Sequence, residues 1–264
     1  MHGSGPNDRD ETLGPNKVFK DLAWGLATNG IAVLRYEKRT KQCAGEVIQA
    51  MATLTVNEET VLDAVAAAAF LRTVDGIAAD RIFVLGHSLG GMVAPRIGAQ
   101  DSRLAGLILL AAIARPLPDL LLEQSEYLAA LDGKVDETEA KQLEELRQQM
   151  ERVKALDFKE GEVILGTARA YWADLLAYDP VGTAKALTMP MFVLQGERDY
   201  QVTMEDFAAW KVGLAGRDGV TFKSYLPLNH LFIAGEGKPN PTEYDVAGNA
   251  ASEVISDIAA WVKR

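Results

Sequence analysis

The sequence has few residues that bind metals or form disulfides. Cys43 is the single cysteine, and the histidines are His2, His87 and His230. One cysteine excludes an internal disulfide, and this set cannot assemble a Cys/His zinc site of the usual spacing. We therefore expect no metal and no other cofactor, and we interpret Cys43 as a small packing residue.

Basic residues and long apolar runs are also scarce. Lys and Arg number 27 against 37 Asp and Glu, which gives a formal net charge of −10 at pH 7. Since this charge repels phosphate backbones and anionic lipids, we expect neither a nucleic acid nor a membrane partner. No apolar run is long enough for a membrane span, and the start MHGSGPNDRD lacks the layout of a signal peptide. The chain as given is predicted to be cytoplasmic; the alternative is that a lost N-terminal segment carried an export signal.

What is present favours an α/β core. With 264 residues, 48% of them hydrophobic, the chain can bury one large core. Apolar runs predict strands at 30–39, 80–88, 104–112, 190–199 and 220–228. Helical periodicity predicts helices at 16–28, 56–74, 90–99, 204–214 and 248–263, and Thr55 with Glu58 forms a capping box at the second. Because strands and helices alternate, we predict a doubly wound, mainly parallel sheet.

Residues 114–180 interrupt this alternation. They contain three helical patterns and no predicted strand: DLLLEQSEYLAAL, DETEAKQLEELRQQMERVKAL and EVILGTARAYWADLLAY. An ordered insertion of this length is typical of a cap over the C-terminal edge of the sheet. The predicted organisation is therefore a core of residues 1–113 and 181–264 with an all-helical cap, or lid, of residues 114–180.

The segment RIFVLGHSLGGMVAP (81–95) places Ser88 between a predicted strand and a predicted helix. A turn sharp enough to expose the serine leaves no room for side chains at Gly86 and Gly90, which explains the G-x-S-x-G spacing. The helix that follows directs the N–H of Leu89 at an oxyanion on a substrate. The alternative is an incidental serine in a glycine-rich turn, but the strand and helix on either side favour a nucleophile.

A serine hydroxyl needs a base, and His230 is the best candidate among the three histidines. His87 is adjacent to Ser88, so its side chain should point away from the hydroxyl. His230 follows the last predicted strand and should lie at the catalytic edge. On its own, it could equally be a loop histidine packed beside Leu231.

The base in turn needs a carboxylate that fixes its tautomer. Asp199 is the first choice because it follows the predicted strand that ends near Gly196, and Glu197 is the fallback. Asp174 and Asp179 also precede His230, but they fall in or beside cap helices, where capping or solvent exposure is their expected role.

With HGSGP (2–6), GHSLGG (86–91), GERD (196–199) and NH (229–230), the sequence resembles the α/β-hydrolase superfamily, in its serine carboxylesterase-like branch with a helical cap. The likeness covers nearly the whole chain, and the order Ser, Asp, His is that of the superfamily. It implies that the residue after the HG pair, Ser4, supplies the second amide of the oxyanion hole. The alternative origin of HGSGP is an expression-tag scar.

The resemblance also implies that the first strands of the fold are missing. In the usual sheet order, the strand that leads into HGSGP lies between the strands at 31–36 and 81–86. Its loss leaves a slot with unpaired backbone groups, which are costly when buried. We expect the flanking strands to pair directly or a homodimer to cover the slot; the third outcome is a weakened fold.

These residues predict a serine hydrolase that cleaves carboxylic esters of small to medium acyl or aryl groups through an acyl-enzyme. The apolar cap suggests Tyr171, Trp172 and Phe232 as candidate substrate-binding residues, although residues at such spacing more often form a core. A thioesterase or a peptidase with the same triad is one alternative. A non-catalytic binding protein, or an inactive truncated remnant, is the other.

Overall fold

Strands and helices alternate along most of the chain in the computed structural model, which covers residues 1–264. The strands are β1 (Thr12–Leu13), β2 (Asn16–Lys17), β3 (Phe83–His87), β4 (Gly106–Leu110), β5 (Val163–Ile164), β6 (Thr167–Ala168), β7 (Met191–Gly196) and β8 (Val220–Tyr225). The helices are α1 (Val18–Thr28), α2 (Arg39–Gln42), α3 (Ala44–Ala50), α4 (Leu62–Leu71), α5 (Leu89–Gln100), α6 (Leu117–Ala129), α7 (Glu137–Lys154), α8 (Arg169–Leu176), α9 (Pro180–Ala186), α10 (Met204–Gly213) and α11 (Ser252–Val262). None of them combines the length and the apolar character needed to cross a bilayer.

The central sheet has four parallel strands in the order β3-β4-β7-β8. β4 and β7 are buried along their whole length, as their continuous apolar sequences predict. Successive residues of these strands enter opposite layers: Leu107 and Leu109 pack into one hydrophobic cluster, whereas Ile108 and Leu110 pack into the other. The predicted doubly wound α/β sheet is therefore confirmed.

Helices cover both faces of the sheet. The face shared by α1 and α11 holds a cluster that includes Phe19, Val254 and Trp261. The opposite face is covered by α4, α5, α9 and α10, and its cluster includes Trp210, whose Nε1 donates to the carbonyl of Ala112 at 2.9 Å. Because all four strands are parallel, their carboxyl ends meet at one edge of this sandwich, where α/β folds bind ligands.

The predicted strand at 30–39 does not form. Residues 31–38 have no regular secondary structure, residues 32–37 make no backbone hydrogen bond, and Val33 and Leu34 are exposed. A strand needs a neighbour, and between this segment and β3 lies an apolar cavity of about 450 Å³. The predicted direct pairing of the flanking segments is therefore wrong, while the homodimer stays a prediction.

Met1 lies against the carboxyl end of β3, on the side of the strand that adjoins this cavity. Its amine donates to the carbonyl of Leu85, and its carbonyl accepts from the N–H of His87 at 2.9 Å. This pairing fixes the segment HGSGP beside the end of β3. Ser88, the serine of the G-x-S-x-G motif, directly follows β3, so HGSGP lies beside this serine.

The inserted segment contains α6, α7 and α8, and also a short hairpin that the sequence did not indicate. α7 begins at a capping box in which Asp136 accepts from the backbone of Glu139, whose side chain accepts from Asp136. The third predicted helix is shorter than expected because β5 and β6 pair antiparallel before it. The two residues between them, Leu165 and Gly166, have positive φ angles of 50° and 73°, as a tight hairpin turn requires.

Candidate active site

The serine elbow lies at the carboxyl end of the sheet. Ser88 connects β3 to α5 with φ 56° and ψ −121°, a region that non-glycine residues seldom occupy. A Cβ at Gly86 would overlap the carbonyl of Gly90, and a Cβ at Gly90 would lie 2.5 Å from the Met1 carbonyl oxygen. Both glycines are therefore required by close backbone approach: Gly86 within the elbow, as the G-x-S-x-G spacing predicts, and Gly90 against the backbone of Met1 and His2.

Ser88 is presented as a nucleophile would be. Its side chain is half-buried, and its hydroxyl makes no hydrogen bond to another residue, including His230. The next residue, Leu89, is the first of α5, so its N–H has no acceptor within the helix. A hydroxyl free of protein partners beside a free helix amide suits attack on a carbonyl group, with the amide binding the resulting oxyanion.

His230 and Asp199 form a buried pair at the same edge. The Nδ1 of His230 lies 2.6 Å from Oδ2 of Asp199, and both side chains are buried. Oδ1 of Asp199 accepts from the N–H groups of Gln201, at 2.8 Å, and Val202, at 3.0 Å. The Nε2 of Gln195 donates to Oδ2 at 3.2 Å. These donors hold the carboxyl group in one orientation, and because its Oδ2 faces Nδ1, that nitrogen carries the N–H of His230 in this contact.

The loop that carries His230 is shaped by Asn229. The side-chain oxygen of Asn229 accepts from the N–H groups of Leu231, at 3.0 Å, and Ile233, at 3.2 Å. Phe232 has a φ of 57° in this turn, and its side chain packs edge-on against Tyr225. The turn therefore folds back on itself and returns His230 toward the end of β3.

The other carboxylates have different partners. Glu197 is exposed and accepts from the hydroxyl of Ser224 at 2.7 Å. Asp174 forms an ion pair with Arg96 at 2.9 Å, and Asp179 caps α9 by accepting from the N–H of Gly182 at 2.8 Å. Asp199 alone among these four contacts His230.

Behind the elbow, His87 joins the serine turn to the His230 loop. Its ring lies 4.5 Å from that of His230, and its Nε2 donates to the His230 carbonyl at 2.8 Å. Its Nδ1 lies 3.1 Å from Oε2 of the buried Glu11, whose other oxygen accepts from the N–H of Gly3. Burial opposes both charges, but their mutual attraction outweighs it and raises the pKa of His87 while lowering the pKa of Glu11. One carboxylate therefore links the HGSGP loop, the elbow and, through His87, the loop of His230.

Glu11→Gln should destabilise the protein most at mildly acidic pH. The lowered pKa of Glu11 gives stability that is present above its ordinary value of 4.5 and lost as pH falls. The raised pKa of His87 gives stability that is present below 6.5 and lost as pH rises. The contribution of the pair is therefore largest between these values. Because glutamine keeps one acceptor oxygen, we expect a loss there of about 2 kcal/mol.

Urea unfolding of Glu11→Gln and the parent at three pH values measures this difference. It should peak at about pH 5.5 and shrink at about pH 3.5 and pH 8.5. Glu160→Gln changes an exposed carboxylate and is the matched control, with no such maximum expected. A difference for Glu11→Gln that does not vary with pH would contradict the ion pair.

The HGSGP loop lies against the elbow, as the resemblance implies. A Cβ on Gly3 would lie 3.2 Å from the Ser88 Cβ and 3.6 Å from its Oγ. Ser4 is exposed, and its N–H donates to no group of the protein. Ser4 and Leu89 thus both offer free amides on segments that flank Ser88.

The three candidate substrate residues have different environments. Trp172 is buried in a core cluster and donates to the carbonyl of Ile164 at 3.2 Å. Phe232 is 1% exposed and belongs to the core on the other face of the sheet. Both side chains therefore serve packing, the alternative already given for apolar residues at such spacing. Tyr171 is half-buried, and its hydroxyl donates to Glu59, so it connects α8 to the core.

Three polar residues hold this site together, Glu11, Gln195 and Lys38, and sequence reasoning missed the first two. Each is buried and bonded to a segment that carries a candidate catalytic group. Gln195 carried a usable signal, since it is a polar residue inside an otherwise apolar strand four positions before Asp199. Glu11 and Lys38 lie in charged stretches with nothing in the sequence to distinguish them from surface residues.

The α/β-hydrolase class is defined by a parallel doubly wound sheet with a serine elbow at its carboxyl edge and a paired Asp and His on later loops. Here Asp199 lies on the loop after β7 and His230 on the loop after β8. Within that class, a family model described as serine aminopeptidase S33 (Hydrolase_4) matches residues 16–236. The chain belongs to this family.

Comparison with individual proteins agrees with this assignment. The chain is 43% identical over 262 residues to esterase EstD of Thermotoga maritima, a match that covers 99% of the chain and 60% of EstD. It therefore spans about 60% of the length of that relative.

Two solved structures share the fold at low sequence identity. The esterase Pf2001 of Pyrococcus furiosus matches with a TM-score of 0.59 at 16% identity, covering 100% of this chain and 80% of that one. Est1E of Butyrivibrio proteoclasticus, solved with ferulic acid, matches with a TM-score of 0.60 at 15% identity, covering 100% of this chain and 88% of that one.

Proposed function

We propose that the protein is a carboxylesterase that works through an acyl-enzyme. The observation that carries the proposal is the buried His230–Asp199 pair, 2.6 Å apart, at the sheet edge where the elbow presents Ser88. The relative named an esterase, at 43% identity, supports esters over other acyl compounds.

In the proposed reaction, Oγ of Ser88 attacks the carbonyl carbon of the ester, and its proton passes to Nε2 of His230. Nε2 can take this proton because Asp199 keeps the resting proton on Nδ1. The N–H groups of Leu89 and Ser4 bind the oxyanion. When the tetrahedral intermediate collapses, the carbon–oxygen bond breaks and Nε2 returns the proton to the leaving alcohol. Water then repeats these steps on the acyl-enzyme and releases the carboxylic acid.

We propose small to medium acyl or aryl esters as the substrate class, and residues 114–180 as the cap over the site. Tyr171 supports this role of the cap, since its contact with Glu59 attaches α8 to the core near the HGSGP loop. Trp172 and Phe232 are left out of the proposed pocket because both are buried in packed clusters.

Active-site labelling and a substrate panel test this proposal. The purified chain is reacted with a fluorophosphonate and the modified peptide is identified by mass spectrometry; we expect one phosphonyl group on Ser88. In parallel, p-nitrophenyl acetate, butyrate and octanoate are compared with butyryl-coenzyme A and leucine p-nitroanilide. A higher kcat/KM for the p-nitrophenyl esters than for the thioester and the anilide supports a carboxylesterase.

Each other result has a definite meaning. Preference for the thioester or the anilide would indicate a thioesterase or a peptidase that uses the same triad. Absence of both labelling and turnover in the folded chain would contradict the enzymatic proposal and favour a binding role.

A further inference from the structure

A buried ammonium group lies behind the HGSGP loop and has no role in the reaction described above. The side chain of Lys38 is 2% exposed, and its Nζ lies 3.1 Å from Oε1 of Glu59, which is 6% exposed. The second oxygen of Glu59 accepts from the hydroxyl of Tyr171. Burying two charges is costly even when they are paired, so the pair needs an explanation beyond surface solvation.

The remaining contact of Lys38 supplies that explanation. Its Nζ donates to the carbonyl oxygen of Gly3 at 2.9 Å. The side chain of Asn7 donates to the same oxygen at 3.2 Å and to the carbonyl of Ser4 at 2.9 Å. The backbone N–H of Lys38 donates to the carbonyl of Asn7 at 3.1 Å. Lys38 is therefore fixed to the loop at two points, and its ammonium group contacts the carbonyl of Gly3.

That carbonyl belongs to the peptide unit whose N–H is the free amide of Ser4. The protein has no cis peptide bonds, so the C=O of Gly3 and the N–H of Ser4 point in opposite directions in one plane. Holding the carbonyl toward Lys38 turns the N–H away from it. A cation on the carbonyl also polarises the amide and makes the N–H a stronger donor.

We propose that Lys38 is a positioning residue for the oxyanion hole: through the carbonyl of Gly3 it aims the N–H of Ser4 at the oxyanion formed on Ser88. The inference rests on the proposed esterase function. Lys38 touches neither substrate nor reacting atoms, so it acts only through this peptide unit. Glu59 keeps the ammonium in place, and Tyr171 connects this arrangement to α8.

The test compares two variants of the buried pair. Lys38→Met removes the charge at nearly constant length, and combining it with Glu59→Gln avoids leaving an unpaired buried carboxylate. Because the Ser4 amide stays in place but loses its orientation, we expect kcat for p-nitrophenyl butyrate to fall by about 10- to 100-fold, less than the 10²–10³ of a deleted donor. KM should change little, since the oxyanion exists only in the transition state.

Glu59→Gln alone separates this role from simple packing. The glutamine oxygen can still accept from Nζ, so the donation from Lys38 to Gly3 is kept in part and kcat should fall clearly less than in the double variant. Lys41→Met removes an exposed lysine nearby and is the control for charge alone. Affinity for a trifluoromethyl ketone, which adds to the serine and carries an oxyanion, should fall in parallel with kcat/KM, most strongly in the double variant and not at all in Lys41→Met.

Failure of the inference and failure of the proposed function give different results. Phosphonate labelling and parent turnover report on the function alone. If the parent is active and the folded double variant keeps its kcat and its affinity for the ketone, Lys38 has no positioning role. If Glu59→Gln lowers kcat as much as the double variant does, the pair acts through packing and the proposal is overturned.

Discussion

Ser88→Ala is expected to lower kcat toward p-nitrophenyl butyrate by a factor on the order of 10⁵–10⁶ while leaving the fold intact. The residual rate would come from binding and the oxyanion hole, which act without a nucleophile. The fold should survive because the hydroxyl bonds to no other residue. Alanine also tolerates the φ of 56° no worse than serine does, so the backbone strain is unchanged.

Steady-state kinetics and thermal melting check this expectation together. Ser102→Ala removes a hydroxyl from an exposed position and should match the parent in both measurements. The reading of the elbow would be overturned if Ser88→Ala kept a tenth of the activity while melting at the parental temperature. Loss of activity together with a large fall in melting temperature would instead point to a structural role of the hydroxyl.

Asp199→Asn should give the second largest loss, about 10⁴-fold in kcat, as expected when the tautomer of the base is wrong. Asparagine retains an oxygen for the N–H groups of Gln201 and Val202, so the turn is preserved. Its amide group then replaces Oδ2 opposite Nδ1 of His230 and Nε2 of Gln195, both of which donate to that oxygen in the parent. The imidazole avoids facing another donor only by moving its proton to Nε2, where it cannot accept from Ser88.

Glu197→Gln is the matched control, because it makes the same chemical change two residues away on an exposed side chain. Its kcat should stay within about twofold of the parent, as for a surface hydrogen bond. Equal losses in the two variants would show that the acid has been assigned to the wrong carboxylate. Proton NMR of the hydrogen-bonded Nδ1 proton would supply a direct signal, present in the parent and lost in Asp199→Asn.

The parts of this protein that could be predicted from sequence are those set by short-range rules. Steric demands explain the glycines around Ser88, and the ends of β7 and β8 explain why Asp199 and His230 share an edge. The strand at 30–39 was predicted from its own apolar residues, but a strand exists only beside a partner, and the cavity separates it from β3. The hairpin at 163–168 was not predicted because helical periodicity gives no information about the positive φ angles of Leu165 and Gly166.

The supporting polar residues could not be predicted because their roles depend on contacts across the chain. Glu11 meets a histidine 76 positions away, and Lys38 meets a carbonyl 35 positions away. A charged residue in a polar stretch looks solvated until the fold encloses it. Only the three-dimensional arrangement distinguishes these side chains from the many exposed carboxylates and ammonium groups.

The packing of the first eleven residues against the elbow has a consequence for how the protein loses its activity. This segment is held by Met1 on β3, Gly3 on Glu11 and Lys38 on Gly3, contacts that join distant parts of the chain. A segment held by a few such contacts can open locally at a free energy below that of global unfolding. Mild heat or denaturant would thus detach one arm of the proposed oxyanion hole while the parallel sheet stays folded, and the proposed catalysis would be lost first and regained last on refolding.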